Sequence, residues 1–304
     1  MNWEELKKLL PKIQRNVLLR HYTTFKIGGP AKYFFVAKTK KDLIKAVKVA
    51  KKINLPFFIL GGGSNLLVSD EGFDGLIIKI KNQNLKIKNA NQKSKIIEAE
   101  AGVPLSQLVS VSLKNSLTGL EWAVGIPGTV GGAIWGNAGA FGKSMKDIIK
   151  SVKVLEVKNK KSKIKNLTNR DCRFGYRDSI FKKNPNLIIL STEIKLEKGN
   201  KKEIKEKMKE NLTYRKQTQP LSFPSAGSIF KNPKGYFAAK LIEKTGLKGK
   251  KIGNAQISKK HANFIVNLKR AKAIDVIQLI NLVKKEVKKK CGIDLKEEIQ
   301  HLGF

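Results

Sequence analysis

Cysteine is nearly absent from this chain: two residues, Cys172 and Cys291, in unrelated contexts and with no C-x-x-C. That removes a disulfide scaffold and a cysteine zinc site from consideration and makes a reduced, cytoplasmic setting the default. Histidine is as scarce, and His21, His261 and His301 are too scattered for a metal cluster. No apolar run approaches the ~18 residues a membrane helix needs. The opening stretch MNWEELKKLLPKIQRN mixes acids and lysines among its leucines, so it reads as a short amphipathic helix and not a signal peptide. Acidic residues are few, 24 Asp+Glu against 62 Lys+Arg, for a formal net charge of +38. Such a field favours anionic partners. Yet aromatics are only 7% of the chain, and no basic-aromatic platform for stacking bases occurs. The lysines recur at residues 38–41, 158–165, 201–209 and 284–290 and do not gather on one element. Dispersed charge of this kind reads as solvated surface, with a role in drawing in phosphorylated substrates. A basic nucleic-acid-binding protein is the competing reading.

What is present is enough for a sizeable core: 304 residues, 41% hydrophobic, a length of roughly two domains or three small ones. Residues 21–39 read as a strand and turn punctuated by Gly28, Gly29 and Pro30. Leu43, Ile44, Val47 and Ala50 have a helical period over residues 40–53. Strands follow at 57–60 and 76–80, giving a small βαββ-like unit. From about Asn82 the pattern turns to short strands around Ile87, 96–99, 152–157, Ile164 and 187–196. A polar hairpin turn is expected at 159–163, and a helix at 104–115 opens on Pro104. Residues 197–202 (EKGNKK) are the expected linker. Beyond it come a helix through Ile204, Met208 and Leu212, ended by Pro220 and Pro224; a strand at 228–231; a helix at 238–244; a strand at 264–267; and a long amphipathic helix at 271–290.

Two glycine-rich segments stand out. GGGSNLL, residues 61–67, follows a strand. Its glycines let backbone N–H groups approach a phosphate, and Ser64 and Asn65 add side-chain donors. Alone it reads as a tight turn, and Leu66 stands where a dinucleotide fingerprint needs its last glycine. The second, GIPGTVGGAIWGNAGAFG, puts seven glycines in 18 residues with apolar residues between them. A flexible linker would be polar, so this segment is buried or covered. Pro127 stiffens it; Thr129 and Asn137 offer hydrogen bonds. Given the first loop, it is a second wall around a large flat cofactor carrying a diphosphate; otherwise it is tight backbone packing between domains.

Three further positions offer a cation, a hydroxyl and a carboxylate: Arg177 in RFGYRDSIF, Ser228 in PSAGSIFKNP and Glu298 in LKEEIQHLG. Each has a plain structural reading as well. An Arg beside an Asp makes a structural ion pair. A serine at a loop–strand junction forms a turn, and Ser228 lacks the G-x-S-x-G elbow. Acids in a C-terminal tail are solvated. Leu295, Ile299 and Leu302 suggest instead a packed segment able to aim one Glu inward.

With both glycine segments, YRDS, AGSIFKNP and the C-terminal Glu in this order, the chain from residue 21 to 303 resembles the UDP-N-acetylenolpyruvoylglucosamine reductases, flavoenzymes of bacterial peptidoglycan precursor synthesis. The resemblance implies an α+β fold: a two-subdomain FAD-binding module of the vanillyl-alcohol-oxidase type, residues 1–81 and 82–199, and a C-terminal α+β substrate-binding domain, 200–304. It implies FAD as cofactor and NADPH as reductant. The product is UDP-N-acetylmuramate, formed from the enolpyruvyl ether of UDP-N-acetylglucosamine by hydride delivery to C3 and proton delivery to C2. By the family pattern Ser228 gives that proton, and Arg177 and Glu298 polarise the substrate. Gly61, Gly62, Gly63, Ser64, Asn65, Leu66, Gly125, Gly128, Thr129, Gly132, Asn137, Ala138 and Gly139 match cofactor positions. Tyr176, Arg177, Lys231, Asn232 and His261 match positions facing substrate or nicotinamide. The short stretch between Tyr176 and Thr192 resembles the branch without a longer Tyr-bearing substrate loop. Gln300 replaces a frequent Arg, and Trp135-Gly136 precede Asn137 where a bulkier apolar residue is common. A cytoplasmic monomer acting on a small molecule, with no metal, nucleic-acid or membrane partner, is expected. Another flavin enzyme on the same scaffold remains the alternative within this class.

Overall fold

The computed structural model describes residues 3–89, 91–158 and 161–304. The chain folds as two compact units, each assembled from separated stretches: Met1–Ile13, Phe34–Gly62 and Leu76–Tyr214 form one; Gln14–Tyr33, Gly63–Gly75 and Arg215–Phe304 form the other.

In the first unit the helix Lys40–Lys52 starts where Thr39 accepts a hydrogen bond from the Asp42 amide at 3.0 Å while the Asp42 carboxylate accepts one from Thr39 N at 3.0 Å. This reciprocal cap satisfies amides that have no partner within the helix. Leu43, Ala46, Val47, Val49 and Ala50 are its buried face. The strand Phe57–Leu60 follows and pairs in parallel with Phe73–Ile80, in register from Phe57↔Leu76 to Leu60↔Lys79. Leu76, Ile77 and Ile78 are wholly buried, as parallel strands covered on both faces require. The larger sheet is antiparallel, in the order Lys161–Thr168, Ile149–Lys158, Leu187–Lys198, Ser94–Glu100, Leu85–Asn89, with Leu117–Thr118 also on Leu187–Lys198. Its Lys161–Thr168 edge is largely exposed and Lys-bearing; Lys163 and Lys165, with Lys158 of the neighbouring strand, surround the buried Glu156 carboxylate. Charge on an edge strand blocks further pairing, which accounts for one of the lysine runs. Part of the hairpin turn expected at 159–163 lies outside the described residues.

The linker expected at 197–202 does not exist as such. Glu197 and Lys198 complete a sheet strand, and Lys201 already opens the helix Lys201–Thr218, leaving only Gly199 and Asn200 between them. Polar composition on a solvent-exposed strand end and on a solvated first helical turn looks the same as a linker in sequence.

The second unit is built on a four-stranded antiparallel sheet ordered Ser225–Ser228, Phe264–Asn267, Ala255–Ile257, Lys251–Ile252. The helices Ala238–Lys244 and Ala273–Cys291 pack on it through Leu241, Ile242, Val276, Leu279, Ile280, Val283 and Val287. The strand expected at 228–231 lies earlier, at Ser225–Ser228; the small residues SAGS carry no apolar alternation, so the sequence hides it. Segments from the start of the chain are fastened here. Asn267 Nδ2 donates to the Phe25 carbonyl at 3.0 Å. The Asp70 carboxylate accepts from Ala273 N at 2.8 and 2.9 Å, capping the long helix. Last, Gln300–Leu302 pairs in parallel with Leu66–Val68.

Among the described residues no helix is long and apolar enough to cross a membrane, and no group of three or more His, Cys, Asp or Glu is placed to hold a metal. Both cysteines are free, and burial pushes the Cys172 thiol up to about 12.

Candidate active site

The carboxyl end of a parallel strand pair is where open sheets present loops to ligands, and Gly61 and Gly62 leave the Phe57–Leu60 strand there. They close against the second glycine segment. A Cβ on Gly62 would lie 2.5 Å from the Gly128 Cα, and one on Gly61 2.6 Å from the Thr129 hydroxyl oxygen. Two sequence-distant loops are thus packed backbone to backbone, an approach only glycine permits. The second segment is not all loop. Thr129 accepts a hydrogen bond from Gly132 N at 3.3 Å and starts the short helix Val130–Gly136, which ends on Asn137 in the left-handed conformation at φ +43°. Gly132 and Gly136 are four apart and so share a helix face. A Cβ at Gly136 would meet nothing within 4 Å, and at Gly132 only the Thr129 hydroxyl at 3.6 Å. That open, side-chain-free face beside clustered backbone amides and the Thr129 hydroxyl fits a large cofactor with a diphosphate.

Asn137 joins this segment to the next motif. It is 5% exposed, its Nδ2 donates to the Gly175 carbonyl at 2.7 Å, and its Oδ1 accepts from Lys146 N at 3.0 Å. Gly175 and Asp178 exchange backbone hydrogen bonds at 2.9 and 3.2 Å, so Tyr176 and Arg177 are the two central residues of a tight turn. Arg177 takes φ +53° there, which costs a non-glycine residue about 1–2 kcal/mol. Lys182 Nζ secures the turn by donating to the Arg177 carbonyl at 2.8 Å, and Ser179 Oγ donates to the Trp135 carbonyl at 2.7 Å. The Arg177 guanidinium lies over the Tyr176 ring at 5.3 Å from its centroid. As for Asp178, it pairs with Lys183 at 2.9 Å, and that ammonium holds its carboxyl below the usual carboxylate range.

In the second unit, the strand Ser225–Ser228 carries an extra residue against Phe264–Asn267: Ser225 faces Val266 and Ser228 faces Phe264. Gly227 supplies the φ of +78° that this bulge needs. Bulges re-aim the side chain that follows, here Ser228. The backbone beyond it is clamped by the buried Asn263, whose Oδ1 accepts from Phe230 N at 2.9 Å and whose Nδ2 donates to the Phe230 carbonyl at 2.8 Å. Glu298 N donates to the Ile229 carbonyl at 2.8 Å, so Ser228 and Glu298 come from adjacent backbone segments. Asn65 Nδ2 donates to the Glu298 carbonyl at 3.1 Å, and Gln300 N to the Asn65 carbonyl at 3.0 Å. Asn65, expected as a cofactor donor, therefore also ties its loop to the C-terminal segment. Gly63 takes φ +64°, and its carbonyl accepts from Thr24 N at 3.0 Å, while the Thr24 hydroxyl donates to the Ser225 carbonyl at 2.7 Å.

The adjacent glutamates separate by role. Glu297 shares sequence parity with the buried Leu295 and Ile299. It accepts from His301 at 2.6 Å and pairs with Lys284 of the long helix; the His301 bond foremost, then Lys284, draws its carboxyl down to about 2. It is a fastening. With a folded pKa below the ordinary ~4.3, the native state binds fewer protons. The stabilisation is thus full above about pH 5 and disappears as pH falls toward 2. Glu297→Gln should lower stability at pH 7 by about 1–3 kcal/mol, read as a lower melting temperature. The gap to wild type should shrink below about pH 4. Equal melting at pH 7 would remove Glu297 from this role.

Of the remaining expected positions, Asn232 accepts from Ala238 N at 3.0 Å at the start of the Ala238–Lys244 helix, and Lys231 N donates to the Lys296 carbonyl at 2.8 Å. His261 stacks edge-on against Phe264 at 4.8 Å, and burial lowers its pKa. Asn263, which clamps the backbone beyond Ser228, carries no motif in the sequence. Lys79, whose Nζ donates to the Gly61 carbonyl, had one signal, a lone cation in the apolar run LIIKI.

The chain is similar to known proteins along nearly its whole length. Residues 31–162 match the FAD binding domain family, and 219–302 match the family described as UDP-N-acetylenolpyruvoylglucosamine reductase, C-terminal domain. The chain is similar to the UDP-N-acetylenolpyruvoylglucosamine reductase of Caldanaerobacter subterraneus subsp. tengcongensis, 45% identical over 302 residues that span 99% of this chain and 97% of that one. It is 41% identical to that of Clostridium novyi, over 99% and 96% of the two chains. The crystal structure of UDP-N-acetylenolpyruvylglucosamine reductase from Thermus caldophilus superposes with a TM-score of 0.80 at 35% identity, covering 96% of this chain and 99% of that chain.

Proposed function

This chain belongs to the UDP-N-acetylenolpyruvoylglucosamine reductase family and is an FAD-binding oxidoreductase of α+β fold, and from that premise we propose that it reduces the enolpyruvyl ether of UDP-N-acetylglucosamine to UDP-N-acetylmuramate with NADPH as reductant. The observation that carries this reading is the coexistence of the glycine cradle with a bulge-aimed serine whose strand neighbours the Glu298 backbone. It works as a cytoplasmic monomer on a small-molecule substrate, without metal, nucleic acid or membrane. The division into FAD-binding subdomains 1–81 and 82–199 and a substrate domain 200–304 is part of the proposal, supported by the C-terminal family match at 219–302.

When bound, FAD supplies the hydride that reaches C3 of the enolpyruvyl group. Gly61, Gly62, Gly63, Ser64, Asn65, Leu66, Gly125, Gly128, Thr129, Gly132, Asn137, Ala138 and Gly139 are the residues that would hold it. Negative charge develops at C2 and on the substrate carboxylate. Arg177 offers a planar, permanently charged fork of donors to that charge, held on a turn that leaves it little freedom. Ser228 then gives its proton to C2. A serine hydroxyl is a weak acid, so this demands a strongly basic centre and fixed geometry; the bulge at Gly227 and the Asn263 clamp provide the latter. Glu298 beside an enolate acts protonated or against a cation, since a bare carboxylate would repel the charge. Tyr176, Lys231, Asn232 and His261 contact substrate or nicotinamide.

The test is anaerobic. The purified protein should absorb near ~370 and ~450 nm, NADPH should bleach it, and the enol ether should restore the colour. Failure of the enol ether to restore it would make this another flavin enzyme. Arg177→Lys and Glu298→Gln should keep flavin and its bleaching while slowing the recolouring at least ~100-fold. A variant that loses its flavin would mark its residue as structural.

A further inference from the structure

Lys79 lies in the Phe73–Ile80 strand directly across from Leu60, the last residue before the first glycine loop. Its position is half-buried between fully buried neighbours, in a run otherwise apolar. Such a site costs a lysine hydration unless the ammonium finds a strong acceptor. It finds one: Nζ donates to the Gly61 carbonyl. We propose that Lys79 is a positioning residue for the FAD site, holding the Gly61 carbonyl so that the Gly62 N–H is presented as a donor to an anionic group of the cofactor. The inference rests on the FAD reading.

The argument follows from the peptide bond. The Gly61 carbonyl and the Gly62 N–H belong to one trans, planar group and point in opposite directions. Fixing the carbonyl toward Lys79 turns the amide the other way. Among the described residues the Gly62 amide donates to no backbone carbonyl. Because glycines impose little preference of their own, something outside the loop must set that peptide plane. The charged partner also places a cation under a loop that receives a diphosphate.

Burial, and to a lesser degree the charge of Lys81 just beyond the strand, lower the Lys79 pKa to about 8. Of the two strands flanking it, Phe57–Leu60 brings no titratable side chain, and Pro30–Ala37 brings Tyr33 and Lys32, the latter paired with Asp74 at 2.7 Å near the start of the Phe73–Ile80 strand; the second glycine segment, residues 125–139, brings none. Cofactor binding favours the charged form, so FAD affinity should fall as pH rises through about 8.

The measurement is FAD titration of the deflavinated full-length protein, followed by flavin fluorescence from about pH 7 to 9. Lys79→Met should raise the Kd ~10-fold or more at pH 7, the loss of a charge-assisted hydrogen bond. Lys79→Arg should keep the wild-type Kd at pH 7 and flatten its rise with pH. Lys81→Met should keep the rise but move it to higher pH. Wild-type affinity and pH profile in Lys79→Met would overturn the proposal. Should that variant not fold, a wild-type profile flat across this range overturns it equally. Both outcomes leave the FAD reading intact, whereas a wild-type chain that took up no flavin would overturn that reading and this proposal together.

Discussion

Ser228→Ala is expected to bind flavin and be bleached by NADPH at the wild-type rate, while recolouring by the enol ether slows by ~10²–10⁴-fold, the range over which a positioned proton donor acts. The expectation is this selective because Ser228 supports nothing else that matters to the fold. It ends its strand, is only partly buried, and the bulge beside it is set by the Gly227 backbone, not by the hydroxyl. The clamp on the following residues comes from Asn263. Removing one oxygen therefore leaves the scaffold in place, and any loss reports chemistry. Stopped-flow absorbance of the two half-reactions separates them. Full turnover in the variant would take Ser228 out of the mechanism.

Gly62→Ala is expected to abolish flavin uptake and to destabilise the protein by about 1–3 kcal/mol, the usual cost of forcing atoms into a closed contact. The added Cβ would sit 2.5 Å from the Gly128 Cα and 3.2 Å from its carbonyl carbon, both backbone, so no side chain can swing aside. The loops must separate, and with them the wall they form. Gly136→Ala is the informative contrast. Its Cβ would meet nothing, and alanine is the better helix former by about 1 kcal/mol, so the fold should be unharmed or firmer. If flavin content at ~450 nm nevertheless falls in Gly136→Ala, the open face of that helix is cofactor space. Should Gly62→Ala retain wild-type flavin content and melting temperature, the loop contact is not required.

The sequence alone was sufficient for the elements with strong periodicity and for the family. The strands Phe57–Leu60 and Phe264–Asn267 and the helix Ala238–Lys244 fall where their patterns placed them, and the long helix Ala273–Cys291 within two residues of its predicted start. These are local signals: alternation, a 3.6-residue period, caps and breakers act on neighbours in the chain. Glycine spacing likewise marked both loops, because close backbone approach requires glycine whatever the partner. What the sequence left open was every question of which partner. Only the tertiary structure set Gly62 against Gly128, drew Glu298 beside Ile229, paired Gln300–Leu302 with Leu66–Val68, and gave one of two adjacent glutamates, Glu297, to Lys284 and His301 as a half-buried fastening. Only it gave Asn137 to the Gly175 carbonyl and Lys79 to that of Gly61. Those contacts join residues tens to hundreds of positions apart, and a polar side chain carries no local mark of the carbonyl it will meet. The compact units themselves are stitched from separated stretches of chain, an arrangement decided by where buried surface closes and not by order along the sequence.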